Sequence, residues 1–142
     1  MVLAGSSRWF EMATISLLSD EEVSAEALAV FNEIREARKT DFINNFWRAL
    51  AHDPTTLRAT WDRLKDVMAH GALDPLTKEM VYIAVSATNG CNYCIHSHTA
   101  AARAKGMTEE KYAELLAVIG MAAETNALVT AMQVPVDPEF KE

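Results

Sequence analysis

Apolar and polar residues alternate along the chain with a period that predicts helices throughout. Between Ser24 and Lys39, Ala27, Leu28, Phe31 and Ile34 recur at helical spacing, while Glu26, Glu33, Arg35 and Glu36 fall on the opposite, wet side. The acidic run Asp20, Glu21 and Glu22 reads as a solvated lead-in. Thr40 to Ala51 carries Phe42, Ile43, Phe46, Trp47 and Leu50, a dense set that predicts a short helix supplying core, with Phe46 and Trp47 as the residues that could instead wall an interface or channel. His52, Asp53 and Pro54 break the chain, and Thr55 or Thr56 is expected to cap the next helix, whose stripe is Leu57, Trp61, Leu64, Val67 and Met68 and whose end lies at His70 and Gly71. His52 and His70 are expected to make ordinary hydrogen bonds at helix ends.

Asp74 followed by Pro75 is a strong helix start, because the carboxylate caps free amides and proline at the first position loses no hydrogen bond. Leu76 to Ala87 is apolar enough to expect burial on most sides, and Thr88, Asn89 and Gly90 should end it. A further helix is predicted over Cys91 to Lys105, with Gly106 as a left-handed terminator and Arg103 and Lys105 at its negative end. Thr108, Glu109 and Glu110 start another, with Tyr112, Leu115, Leu116, Ile119 and Met121 as its stripe and Gly120 allowing close contact with a neighbour. Glu124, Thr125 and Asn126 interrupt that pattern mildly, so Ala127 to Met132 either continue it or form a last helix. Pro135 and Pro138 end regular structure. The pattern therefore predicts an all-α fold over residues 1–142 as one domain, with 1–14 a flexible extension and 134–142 an exposed tail.

Composition narrows the function classes. Half of the 142 residues are hydrophobic, ample for a core. Thirteen basic residues against twenty acidic ones give a formal charge of −7, which speaks against nucleic acid as a partner. No apolar run is expected to approach the length of a bilayer span, so no membrane partner is expected. The opening MVLAGSSRWFEM lacks a basic leader before an apolar block, and a cytoplasmic location is the default, where the two cysteines would spend much of their time as dithiols.

Chemistry concentrates between Asp74 and Gly106. Cys91 and Cys94 stand three residues apart, His96 and His98 follow, and Glu79 sits in an otherwise apolar segment. At about 100° per residue, Cys91, Cys94 and His98 fall within an arc of about 60°, whereas His96 points elsewhere. Folding the two helices antiparallel about Asn89 puts Glu79, ten residues before the turn, level with His98, nine after it. The implied order is Glu79, His98, Cys94, Cys91. A thiol attacks as its thiolate; a histidine one turn away can take the proton, and a carboxylate behind it can orient the ring. Two other readings stand beside this one. The cysteines could be small buried apolar residues, or Cys91, Cys94 and His98 could supply three ligands to zinc, although no second C-x-x-C accompanies them.

Glu79, eleven residues, Cys91, two residues, Cys94, three residues, His98: this pattern resembles the alkylhydroperoxidase AhpD-like branch of the carboxymuconolactone decarboxylase family. The resemblance implies an all-α bundle built around an antiparallel helical hairpin that carries the C-x-x-C motif, and a homo-oligomer (dimer, trimer or hexamer), toward which the abundant apolar stripes also lean. It implies that Cys94 attacks the peroxide and passes through a sulfenic acid, that Cys91 closes the disulfide, and that Glu79 and His98 relay protons. It implies no bound cofactor or metal, a hydroperoxide substrate, an external dithiol reductant such as a lipoyl group, and a lipoylated protein or a peroxiredoxin as redox partner. Tyr93 stands where the best-known members have histidine before the second cysteine; it and Tyr82 are secondary site candidates. A redox-sensing oligomer without turnover, or a decarboxylase-like member, are the alternatives.

Overall fold

The computed structural model describes residues 13–141, and all regular structure among them is helical. The expected flexible extension falls almost wholly on residues 1–12, outside the described residues. The chain gathers into two compact units divided after Val67.

The first unit holds α1 (Ala25–Arg38), α2 (Asn45–Leu50) and nearly all of α3 (Pro54–Met68). Ser24 caps α1 by accepting the Ala27 amide, and Lys39 closes it in the left-handed region at φ 53°. Ala27, Val30, Phe31 and Ile34 are buried, which is the predicted stripe with Val30 in place of Leu28. They pack with Ile43, Trp47, Leu57 and Trp61, and the Trp47 and Trp61 rings meet edge-on at 5.8 Å.

Two expectations are corrected here. Phe42 and Phe46 are exposed rather than core: α2 has six residues and presents one inner face, which Trp47 occupies, with Ile43 just before it. The cap of α3 is Asp53, not Thr55 or Thr56. Its Oδ1 accepts the Thr56 amide at 3.1 Å while the Thr56 hydroxyl donates to Oδ2 at 2.5 Å. Asp74, Pro75 and Thr77 repeat that device at the start of α4, at 3.0 and 2.5 Å.

The second unit holds α4 (Pro75–Thr88), α5 (Asn92–Ala104) and α6 (Glu109–Met132). The α4–α5 hairpin is its centre, and α6 packs on α4. Gly90 (φ 68°) makes the tight turn between the first two, and Gly106 (φ 93°) the turn into α6; both take the backbone where a side chain is strained. Ile83, Ala102, Met107 and Leu115 form the core.

Several details depart from expectation. α4 is not buried on most sides: Val81 and Val85 are about half exposed, because α5 and α6 cover only the face of Glu79, Ile83 and Ser86. Gly120 serves no close approach, since a Cβ there would meet nothing within 4 Å. α6 runs unbroken for 24 residues; the Thr125 hydroxyl bonds back to the Met121 carbonyl, so the polar trio rides on the helix instead of ending it. By length and composition α6 is able to cross a bilayer, contrary to the expectation that no apolar run reaches that size. Glu109, Glu110, Lys111 and Glu114 nevertheless charge its first two turns. In the exposed tail, Pro138–Phe140 forms one 3-10 turn beyond the point where regular structure was expected to stop.

Candidate active site on the helical hairpin

Cys91 is the N-cap of α5, and its sulfur accepts the Cys94 amide at 3.3 Å, placing it at the positive end of the helix. Cys94, in the first turn, is joined to Cys91 by a disulfide, with the two Cα atoms 5.3 Å apart. Both cysteines are partly accessible. One turn further along, His98 is half-buried and its Nδ1 lies 2.7 Å from Oε2 of Glu79, the pairing that the antiparallel register predicts.

Glu79 is only 4% exposed. Burial pushes its carboxyl upward, but hydrogen bonds from His98 and Lys105, and then their charges, outweigh that and hold it below the ordinary carboxylate range. An ionised carboxylate can only accept, so Nδ1 of His98 carries the hydrogen and, in the neutral ring, Nε2 is the nitrogen that can accept a proton. Tyr82, three residues after Glu79 on α4, stacks flat on the His98 ring with centroids 3.5 Å apart and an 18° tilt. This fixes the plane of the imidazole from the other side.

Two helices thus bring Glu79 and His98 together, with the bonded Cys91–Cys94 pair at the start of α5, one turn before His98. Of the secondary candidates, Tyr82 joins them as a stacking partner, whereas Tyr93 lies 44% exposed at the start of α5. His96 is exposed, as its position on the helix predicts. Among the described residues, Cys91, Cys94 and His98 do not gather as a metal-holding group: the sulfurs bond to each other, and Nδ1 of His98 is engaged by Glu79.

One contact escaped the sequence reading. The Lys105 ammonium pairs with Oε1 of Glu79, although from sequence alone Lys105 looks like a charge suited to a helix end. The signal was present in the spacing: Cys91, His98 and Lys105 stand seven residues apart, two turns each, and so share a face of α5.

Residues 54–137 match the Carboxymuconolactone decarboxylase family, and the chain belongs to it. Within that family its likeness is to AhpD proteins. It is 38% identical over 76 residues to the alkyl hydroperoxide reductase AhpD of Solibacter usitatus, a stretch that spans 54% of this chain and 41% of that protein. It is 25% identical over 145 residues to the protein of the same name from Rhodococcus erythropolis, covering 94% of this chain and 79% of the relative. The crystal structure of the alkylhydroperoxidase AhpD core from Rhodospirillum rubrum superposes with a TM-score of 0.88 at 62% identity, over 91% of this chain and 97% of that one. The all-α, AhpD-like fold expected from the motif is therefore the fold of this chain.

Proposed function

We propose that the chain is a thiol-dependent peroxidase that reduces hydroperoxides through the Cys91–Cys94 dithiol, with Glu79 and His98 as its proton relay. The observation that carries this reading is the buried Glu79–His98 hydrogen bond one helical turn from a disulfide-bonded C-x-x-C pair.

In the reduced form, His98 Nε2 takes the Cys94 proton, and Glu79 steadies the imidazolium that results. The thiolate attacks the distal oxygen of a hydroperoxide; the O–O bond breaks, and the departing alkoxide takes the proton from His98 and leaves as an alcohol. Cys94 is then a sulfenic acid. The Cys91 thiol attacks that sulfur, its proton leaves with the hydroxyl as water, and the disulfide closes, the form this structure contains. Two electrons from an external dithiol, such as a lipoyl group, restore the pair by thiol–disulfide exchange. The AhpD names of the relatives support this class of chemistry.

Steady-state peroxide consumption with a dithiol reductant tests the reading. Cys94→Ser is expected to lose turnover by at least about 100-fold, since it removes the attacking atom. Wild-type rates in that variant, or disulfide formation in the native protein without multiple turnovers, would sink it.

We also propose that the chain self-associates. Leu116, Val118, Met121, Leu128, Val129 and Met132 on α6 are each 48–65% exposed, and all but Leu116 fall within an arc of about 100° on one face of the helix.

A further inference from the structure

Glu79 is shared by two donors, an imidazole and an ammonium. His98 meets Oε2 at 2.7 Å, and the Lys105 ammonium meets Oε1. His98 and Lys105 lie two turns apart on α5, about 10.5 Å along its axis, and Glu79 on the antiparallel α4 falls between them. Lysine at the C-cap is suited to the reach, because side chains on a helix lean toward its N-terminus, here back toward His98. Gly106, turning at φ 93°, ends the helix one residue later and keeps Lys105 at that level.

We infer that Lys105 is a positioning residue of this site: its ammonium neutralises the buried Glu79 carboxylate, so that the Glu79–His98 pair rests without an extra proton beyond the Nδ1–H it shares, and the imidazole Nε2 is free to accept one from the thiol. This rests on the proposed relay, and it adds a component that the acid, imidazole and two sulfurs do not contain.

The reason is electrostatic. A carboxylate this deeply buried needs a positive neighbour or a proton. With the ammonium in place that need is met, and His98 donates an ordinary Nδ1–H. Without it, the need falls on the pair itself, which then holds an extra proton on one member or the other; the two titrate as a unit. In either case the extra proton is held more tightly, and the pair is less ready to take one from the thiol.

The other ionisable groups nearby do not replace Lys105. On α4, Tyr82 presents its ring face to His98, and Lys78 donates to the Ala69 carbonyl. On α5, the cysteines are in the disulfide, and Arg103 pairs with Glu109 while lying over the Tyr112 ring. On α6, Lys111 and Glu114 are exposed.

The test is a pH titration of the Glu79 carboxyl and His98 ring resonances by NMR in the full-length protein, for wild type, Lys105→Met and Lys105→Arg. Lys105→Met is expected to move the pair's titration upward by about one pH unit, the lower end of what a close opposite charge does, since the ammonium is partly exposed. Lys105→Arg should restore it. In the reduced proteins, the acid limb of thiol alkylation against pH should move by the same amount in Lys105→Met. A titration unchanged in a folded Lys105→Met, with only a lower melting temperature, overturns the assignment and leaves Lys105 a structural ion pair. If Lys105→Met does not fold, Lys105→Gln takes its place with the same expected shift. The titration needs no peroxide turnover, so it stands or falls separately from the peroxidase reading.

Discussion

Glu79 shows how much one side chain can depend on its partners. Its two oxygens are taken by His98 and Lys105, and those bonds hold its carboxyl below the ordinary value of 4.5 despite burial. A depressed carboxylate contributes stability that is complete above its unfolded value and is lost as pH falls through the folded one. Glu79→Gln should therefore unfold more easily than wild type at pH 7, by about 1–3 kcal/mol for a buried hydrogen-bonding group left imperfectly paired. The difference should shrink as the pH falls below 4.5 toward the lower folded value. Urea denaturation at pH 7 and pH 3 checks both halves of this, and equal midpoints at pH 7 would show that the pair does not stabilise the fold. The same variant should alkylate Cys94 more slowly near neutral pH, because a neutral amide cannot stabilise an imidazolium. Glu79, Cys91, Cys94 and His98 were legible in the chain because helical pitch alone puts three of them on one face and levels the fourth with it. Lys105 was not, because a lysine at a helix end already has a sufficient reason to be there.

The helices follow local rules closely. Asp53-Pro54-Thr55-Thr56 and Asp74-Pro75-Leu76-Thr77 start α3 and α4 by the same cap, a carboxylate that accepts both the amide and the hydroxyl of the threonine, and Thr108 caps α6 by accepting the Lys111 amide. Gly90 and Gly106 set the two turns of the second unit. At Gly106 a methyl group would meet no neighbour, so the cost of Gly106→Ala is the backbone conformation alone, about 1 kcal/mol. Chemical denaturation should show that loss, with Gly106→Asn costing less because asparagine tolerates a positive φ. A loss several times larger would mean that the turn is also packed. Where the pattern misled, the cause was reach along the chain: α2 is too short to bury both Phe46 and Trp47, and Gly120 faces open space instead of a neighbouring helix.

At the level of the whole molecule, α6 is the unfinished surface. Its 24 residues bury Leu115 and leave most of the rest open. A second copy laid along it would account for an apolar helix that carries charge only near its start and at Glu124. Met121→Glu is expected to shift the protein to smaller species in light scattering after size-exclusion chromatography, with helix content by circular dichroism unchanged. Identical mass for both proteins would place the self-association elsewhere or remove it. Sequence by itself determined the all-α class, most helix boundaries, the family and the four-residue motif, because capping, helical pitch and turn residues act over a few neighbours. Tertiary structure decided which apolar faces are covered, how the chain divides into two units, and that a lysine completes the carboxylate's shell. Those outcomes depend on what stands opposite each side chain in space, and spacing along one helix does not encode it.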